Sequence, residues 1–158
     1  MPVEPDGRDD VMRSHSIPVL LSVTGQSQQD GQQEERIHLV TTGRLRKTDE
    51  GYSLHYEETQ PESGETSHIT LDMEKGSVTM VRDGAYATSM VFEKGRRFQG
   101  NYHTPMGDLE MGIYATKVQY TANEEKGDVS LQYQLDLQGQ FVAMHELKVQ
   151  FVRQGAPS

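Results

Sequence analysis

The chain has 158 residues, the size of one domain, and its 24 acidic residues against 15 basic ones give a formal net charge of -9. This negative charge disfavours nucleic acid and anionic membrane surfaces as partners, because both would repel it. The sequence contains no cysteine, which excludes disulfide bonds and thiolate chemistry from its own residues.

The first 16 residues predict a loosely ordered tail, because they are polar and have no apolar period. They also lack the apolar core of a signal peptide, and no run in the chain approaches the ~20 apolar residues of a membrane-spanning helix. We therefore expect a cytoplasmic protein without a membrane partner. Its folded domain is predicted to occupy residues 17–153, and residues 154–158 form a second tail.

From Ile17 onward, apolar residues recur at every second position between short breaks that are rich in glycine. This alternation is typical of half-buried β-strands joined by tight turns, and no stretch has a usable helical period. Clear examples, in chain order, are Ile37, Leu39 and Leu45, then Tyr52, Leu54 and Tyr56, then Ile69, Leu71 and Met73, then Val78 and Met80, and finally Val129, Leu131, Tyr133 and Leu135. Between residues 109 and 120 the alternation changes phase, which predicts a β-bulge or a bend beside Gly112.

About ten such strands predict an all-β fold, since a long antiparallel meander twists and closes on itself. An even number of strands makes the first and the last antiparallel where they meet. Residues 17–25 are therefore predicted to pair with residues 141–152, and closure would remove both exposed sheet edges. The expected architecture is a single up-and-down antiparallel β-barrel of about 8–10 strands.

Three segments resemble the YwiB family of small bacterial proteins. They lie at residues 81–84, at residues 90–92 and, above all, at residues 102–109, which read Tyr-His-Thr-Pro-Met-Gly-Asp-Leu. The resemblance covers roughly residues 18–152 and implies a bacterial origin and a calycin-like barrel, similar to lipocalins and fatty-acid-binding proteins. The resemblance identifies no catalytic residues in this chain. Calycin-like folds often hold a small ligand, and for this chain that is an analogy at the level of the fold.

Strand direction predicts that the turns at residues 60–65, 83–85, 103–107 and 138–140 share one end of the barrel. By parity, Glu58 and Arg82 point inward near this end, where an inward arginine needs an anionic partner because an unpaired buried charge costs several kcal/mol. Glu58 or a ligand carboxylate can supply it. The candidate site comprises Arg82, Glu58, Tyr86, Tyr102 and Thr104, and it is interpreted either as a structural ion pair, as a ligand anchor or as a catalytic group.

The histidines do not predict a metal site. His38 and His68 point outward on strands that a third strand separates, about 10 Å apart, whereas metal-ligand bonds are about 2 Å long. We expect solvated side chains for these two residues and for His55, and no metal or other cofactor. His145 lies on an apolar face, which predicts a hydrogen-bonded core histidine. No nucleophile elbow, phosphate-binding loop or dinucleotide fingerprint is present in the sequence.

Three functions fit this pattern. The leading hypothesis is a module that binds a small amphipathic or anionic molecule in or at the mouth of the barrel, because methionine and tyrosine faces with one charged group are typical of such sites. The second is a structural or interaction protein, a homodimer with a filled barrel and no ligand. The third, an enzyme, would require an acid or base with a displaced pKa in a cavity.

Overall fold

The computed structural model describes residues 16–29, 34–59, 63–84 and 86–155, and these contain ten β-strands. The strands are β1 (Ser16–Gln28), β2 (Glu35–Lys47), β3 (Gly51–Thr59), β4 (Thr66–Glu74), β5 (Ser77–Arg82), β6 (Thr88–Phe92), β7 (Arg97–Thr104), β8 (Gly107–Ala122), β9 (Lys126–Leu137) and β10 (Gln140–Arg153). Within the described residues, no helix is long and apolar enough to cross a bilayer. Apart from Ser16, the first residue of β1, the predicted N-terminal tail lies outside the described residues.

Each strand pairs with its neighbours in sequence, and β10 pairs with β1 to close the barrel. The closing ladder is antiparallel and runs from Arg153 opposite Val19 to Met144 opposite Gln28. The predicted up-and-down antiparallel barrel, with its first strand against its last, is therefore confirmed. Its finer description as calycin-like stays a prediction.

Inward-pointing apolar side chains form one buried cluster inside the barrel. Leu54, Leu71, Met73 and Phe92 are fully buried, as the two-residue period predicts for one face of each strand. Each such side chain contributes roughly 1.5–3 kcal/mol through the apolar surface that it removes from water. Packing of this cluster holds the strands that carry the candidate site in fixed positions.

The predicted bulge is present in β8, but it lies beyond Gly112. Gln132 of β9 pairs with Lys117 and the next residue, Tyr133, pairs with Ala115, so Thr116 is the extra residue. Gly112 has another role, because a Cβ atom there would lie 2.8 Å from Nη1 of Arg97. The absent side chain lets Arg97 cross β8 and donate to Oδ2 of Asp136 at 2.9 Å.

The barrel wall opens between β2 and β3. Their ladder runs only from Gly43 opposite Tyr56 to Lys47 opposite Tyr52. Residues 35–42 of β2 pair with β1 alone, and residues 57–59 of β3 pair with β4 alone, among the strands that the structure describes. This opening lies toward the end of the barrel at which β1 and β3 end and β2 and β4 begin.

Candidate functional site

A cleft of about 320 Å³ lies at this end of the barrel, and we call it the mouth cleft. Its apolar wall includes Val23, Leu39, Met80 and Leu147. Its polar wall includes Tyr56, Glu58, Arg82, Tyr133 and His145, together with two further carboxylates, Glu35 and Glu146, and of the three glutamates Glu58 is the one that pairs with Arg82. The volume is at the lower end of the range for small-molecule sites, which is roughly 300–1,000 Å³.

Arg82 and Glu58 form an ion pair in the wall of the mouth cleft. Arg82 ends β5 and Glu58 lies near the end of β3, with β4 between them in the sheet. Nη2 of Arg82 is 3.2 Å from Oε1 of Glu58, and the side chains are 26% and 27% exposed. The structure thus brings together the two charged residues of the predicted site, each partly shielded from water.

Two tyrosines flank this ion pair. Burial raises the pKa of the Tyr56 phenol to about 12, with a further rise from Glu58 and a smaller opposing effect from Arg82. Burial likewise raises the pKa of the Tyr133 phenol to about 12, and Arg82 opposes this shift too. Both phenols therefore stay protonated near neutral pH, and their hydroxyl groups can donate hydrogen bonds into the cleft.

His145 stacks against Tyr133, with ring centroids 5.2 Å apart and ring planes 11° from parallel. Its Nε2 atom is buried and has no hydrogen-bond partner among the residues described, so the prediction of a hydrogen-bonded core histidine is wrong. Burial also lowers the pKa of the ring, which favours its neutral form. A neutral imidazole in the wall can offer a ligand either a donor or an acceptor.

Tyr86, Tyr102 and Thr104 lie at the same end of the barrel but do not line the mouth cleft. The rings of Tyr86 and Tyr102 pair with each other, with centroids 6.2 Å apart. The hydroxyl of Thr104 donates to the carbonyl oxygen of Gly107 at 2.6 Å, within the turn between β7 and β8. Thr88 separates this group from Arg82, because it pairs with Arg82 on one side and with Tyr102 on the other.

Sequence reasoning missed Tyr133 and His145 as members of the site. Both occupy inward positions of β9 and β10, where they lie opposite each other in the ladder. Their parity was a usable signal, since Tyr133 continues the face of Val129 and Leu131. Parity does not reveal which residues meet across the interior of a closed barrel. Arg82 of β5 and Tyr133 of β9 line the same cleft from strands that are not neighbours in the sheet.

His55 on the outer wall takes part in a chain of hydrogen bonds, whereas the sequence predicted a solvated side chain. Ser53, 1% exposed, donates from Oγ to Oδ1 of Asp72 at 2.6 Å, and its Oγ lies 3.2 Å from Nε2 of His55. Thr70 Oγ1 is 3.1 Å from Nδ1 of the same ring. The serine lies between the acid and the histidine, so the acid does not orient the imidazole as it does in serine hydrolases.

On the outer wall, the rings of His38 and His68 each have one side-chain partner among the residues that the structure describes. His38 Nε2 lies 3.0 Å from Oγ of Ser22, and His68 Nδ1 lies 3.3 Å from Oε2 of Glu57. In the described part of the chain, no group of three or more histidine, aspartate or glutamate side chains could hold a metal ion.

We predict that acidification destabilises the fold through His145 and His55. Burial lowers the pKa of both rings in the folded state. The unfolded chain therefore binds more protons than the folded one between the lowered values and about 6.5, so stability rises with pH across that window. The free energy of unfolding, measured in urea between about pH 5 and pH 7, should fall less on acidification in His145→Phe than in the wild type. Equal slopes would show that His145 does not contribute.

Comparisons with known proteins agree with this fold. Residues 21–149 match the family model described as "Domain of unknown function (DUF1934)". The Uncharacterized beta-barrel protein YwiB of Bacillus subtilis (strain 168) is 27% identical over 135 residues, which cover 85% of this chain and 92% of that protein. The crystal structure of the ywiB protein from Bacillus subtilis matches with a TM-score of 0.79 at 24% identity, over 88% of this chain and 93% of the other.

These matches confirm the predicted resemblance to the YwiB family. The structural likeness supports the barrel fold alone, and neither the family description nor the relative's name states a function. Because the family model spans most of the chain, from residue 21 to residue 149, this protein belongs to the DUF1934 family of bacterial β-barrel proteins of unknown function.

Proposed function

We propose that the protein binds a small amphipathic anion in the mouth cleft. The observation that carries this proposal is the convergence of the Arg82 guanidinium with two protonated phenols, Tyr56 and Tyr133, beside an apolar wall. Arginine and phenol groups are donors, and a carboxylate or sulfonate oxygen accepts from such groups. The apolar part of the ligand would lie against Val23 and Met80.

The size of the cleft limits the class of ligand. At about 320 Å³ it suits a medium-length acyl chain or a small aromatic acid rather than a long lipid. Tyr56, Met80 and Tyr133 belong to the buried core and also line the cleft, so the packed core limits its depth. The ligand therefore lies at the barrel mouth.

Glu58 would compete with the ligand for Arg82. Its Oε1 already lies 3.2 Å from the guanidinium, so an incoming anion either shares the arginine with Glu58 or displaces it. Two carboxylates at one arginine repel each other, and neutralising Glu58 removes that repulsion. Loss of charge at Arg82 and at Glu58 should therefore change anion affinity in opposite directions.

The test uses 8-anilinonaphthalene-1-sulfonate, an amphipathic anion whose fluorescence rises in apolar surroundings. We expect saturable binding to the wild type, with affinity at least about 10-fold lower in Arg82→Met, because a charged hydrogen bond contributes roughly 1.5–3 kcal/mol. In Glu58→Gln the affinity should rise several-fold. Decanoate should displace the probe, whereas decylamine, with the same chain length and the opposite charge, should not.

The matched control is Arg97→Met, which removes an arginine that pairs with Asp136 on the outer wall and does not line the cleft. It should bind the probe as the wild type does. Near-ultraviolet circular dichroism must be unchanged in every variant, because this probe also binds loosened proteins. Equal affinity in the wild type, Arg82→Met and Glu58→Gln would contradict the proposal.

A further inference from the structure

Strand β2 has a free edge along residues 35–42. It pairs with β1 on one side, and its ladder with β3 begins only at Gly43, so no described strand covers its other side there. Within this edge, residues 37–42 read Ile-His-Leu-Val-Thr-Thr, without lysine, acidic residues or proline. Lysine, acidic residues and proline are the residues by which proteins usually protect an exposed sheet edge. The free edge is therefore suited to pairing with another strand.

Apolar side chains are exposed on and beside this edge. Ile37 is 66% exposed and Val40 is 58% exposed. On the outer face, Leu20 of β1 and Val152 of β10 lie opposite each other and are 42% and 50% exposed. Leu20 also pairs with Thr42 of the free edge. Val40, Leu20 and Val152 thus place exposed apolar side chains on the outer face at and near the free edge.

We propose that two copies of the chain associate through antiparallel pairing of their free β2 edges. With the two-fold axis at Leu39, Leu39 of one copy faces Leu39 of the second, and His38 faces Val40. Such a contact is isologous, so it closes as a dimer and consumes both edges. In this register the exposed Ile37 and Val40 of each copy gain cross-strand neighbours, Thr41 and His38 of the other copy.

Charge favours a second copy over a partner of opposite charge. The chain carries a net charge of -9, yet the free edge at residues 35–42 contains one acidic residue, Glu35, and one basic residue, Arg36, and so has no net charge that would attract a partner of either sign. In the stated register Arg36 faces Thr42 of the second copy, so no like charges oppose each other along the ladder. Because two chains of net charge -9 repel each other, an edge without net charge is where two copies can approach.

The interface adjoins the mouth cleft without depending on it. Ile37 and Leu39 line both the free edge and the cleft. A second copy would therefore cover Ile37 and extend the apolar wall of the cleft. This inference does not rest on the proposed function, because edge pairing needs no ligand.

Cysteine cross-linking tests the register, since the chain contains no cysteine of its own. Directly opposed residues in antiparallel strands have Cα atoms about 4.5–5.5 Å apart, within the range that a disulfide spans. Leu39→Cys should form a disulfide-linked dimer under mild oxidation at least 10-fold faster than Val81→Cys. Val81 is the matched control, because it is 40% exposed on β5, a strand that is paired on both sides. Equal rates would overturn the proposed contact.

Sedimentation equilibrium provides an independent test without a variant at Leu39. The wild type should sediment at twice the 17.8 kDa mass of the chain. Val40→Lys should weaken the dimer at least 10-fold, since lysine on an edge strand opposes pairing, whereas Val81→Lys should leave it unchanged. A wild type that stays monomeric at about 0.5 mM, or a Val40→Lys variant that dimerises as the wild type does, would overturn the proposal.

Discussion

Removing residues 140–158 is expected to abolish cooperative unfolding. This deletion takes away β10, which pairs with β9 along one side and with β1 along the other. It also removes Val149 and Phe151 from the buried core, and truncating a single large core side chain already costs about 2–5 kcal/mol. A domain of this size has a total stability of only about 5–15 kcal/mol. Urea unfolding followed by far-ultraviolet circular dichroism should show a gradual change without a transition.

The control for this deletion is a chain that ends at residue 153. It keeps all of β10 and loses one described backbone hydrogen bond, from Gln154 N–H to the carbonyl oxygen of Pro18. It should unfold cooperatively, close to the wild-type midpoint. A sharp transition in the longer deletion would show that the sheet folds without closing.

The second large effect is expected at Arg82 and Glu58, measured without ligand. Arg82→Met alone should lower the free energy of unfolding by about 1–2 kcal/mol, because Glu58 then stays partly buried without a counter-charge. Arg82→Met together with Glu58→Leu should recover most of that loss, since apolar groups replace both charges. The coupling energy from this double-mutant cycle should be about 1 kcal/mol.

The surface pair Arg96 and Glu93 supplies the control cycle. Its atoms are 3.7 Å apart, and the side chains are 76% and 42% exposed, so water screens the interaction. The coupling energy there should be near zero. If the Arg82–Glu58 cycle gives an equally small value, Glu58 does not stabilise Arg82 in the unliganded protein.

The two-residue apolar period was sufficient to predict the barrel and its closure. Residues Val129, Leu131 and Tyr133 show that period clearly, and the even number of strands determines that β10 meets β1 in antiparallel orientation. The position of the bulge was less accessible. Gly112 marked a phase change in the sequence, whereas the extra residue is Thr116. Gly112 instead leaves room for the side chain of Arg97.

The candidate site was predictable only where its residues are close in the sheet. Arg82 and Glu58 lie on strands separated by β4 alone, so parity and direction were enough to bring them together. Tyr133 and His145 reach the same cleft from β9 and β10. That approach depends on how the closed barrel is staggered, which no local pattern records. Tyr86 lies in the connection between β5 and β6, where strand parity does not apply, and its ring pairs with that of Tyr102 instead.

The most direct test of the proposed function is a titration of isotope-labelled protein with decanoate, followed by nuclear magnetic resonance. We expect saturable shifts concentrated at the mouth cleft, with Met80, Arg82 and Leu147 among the most affected residues. The same titration of Arg82→Met should give much weaker shifts. Saturable shifts confined to other parts of the barrel, or no shifts at millimolar decanoate, would contradict the assignment of the mouth cleft as an anion-binding site.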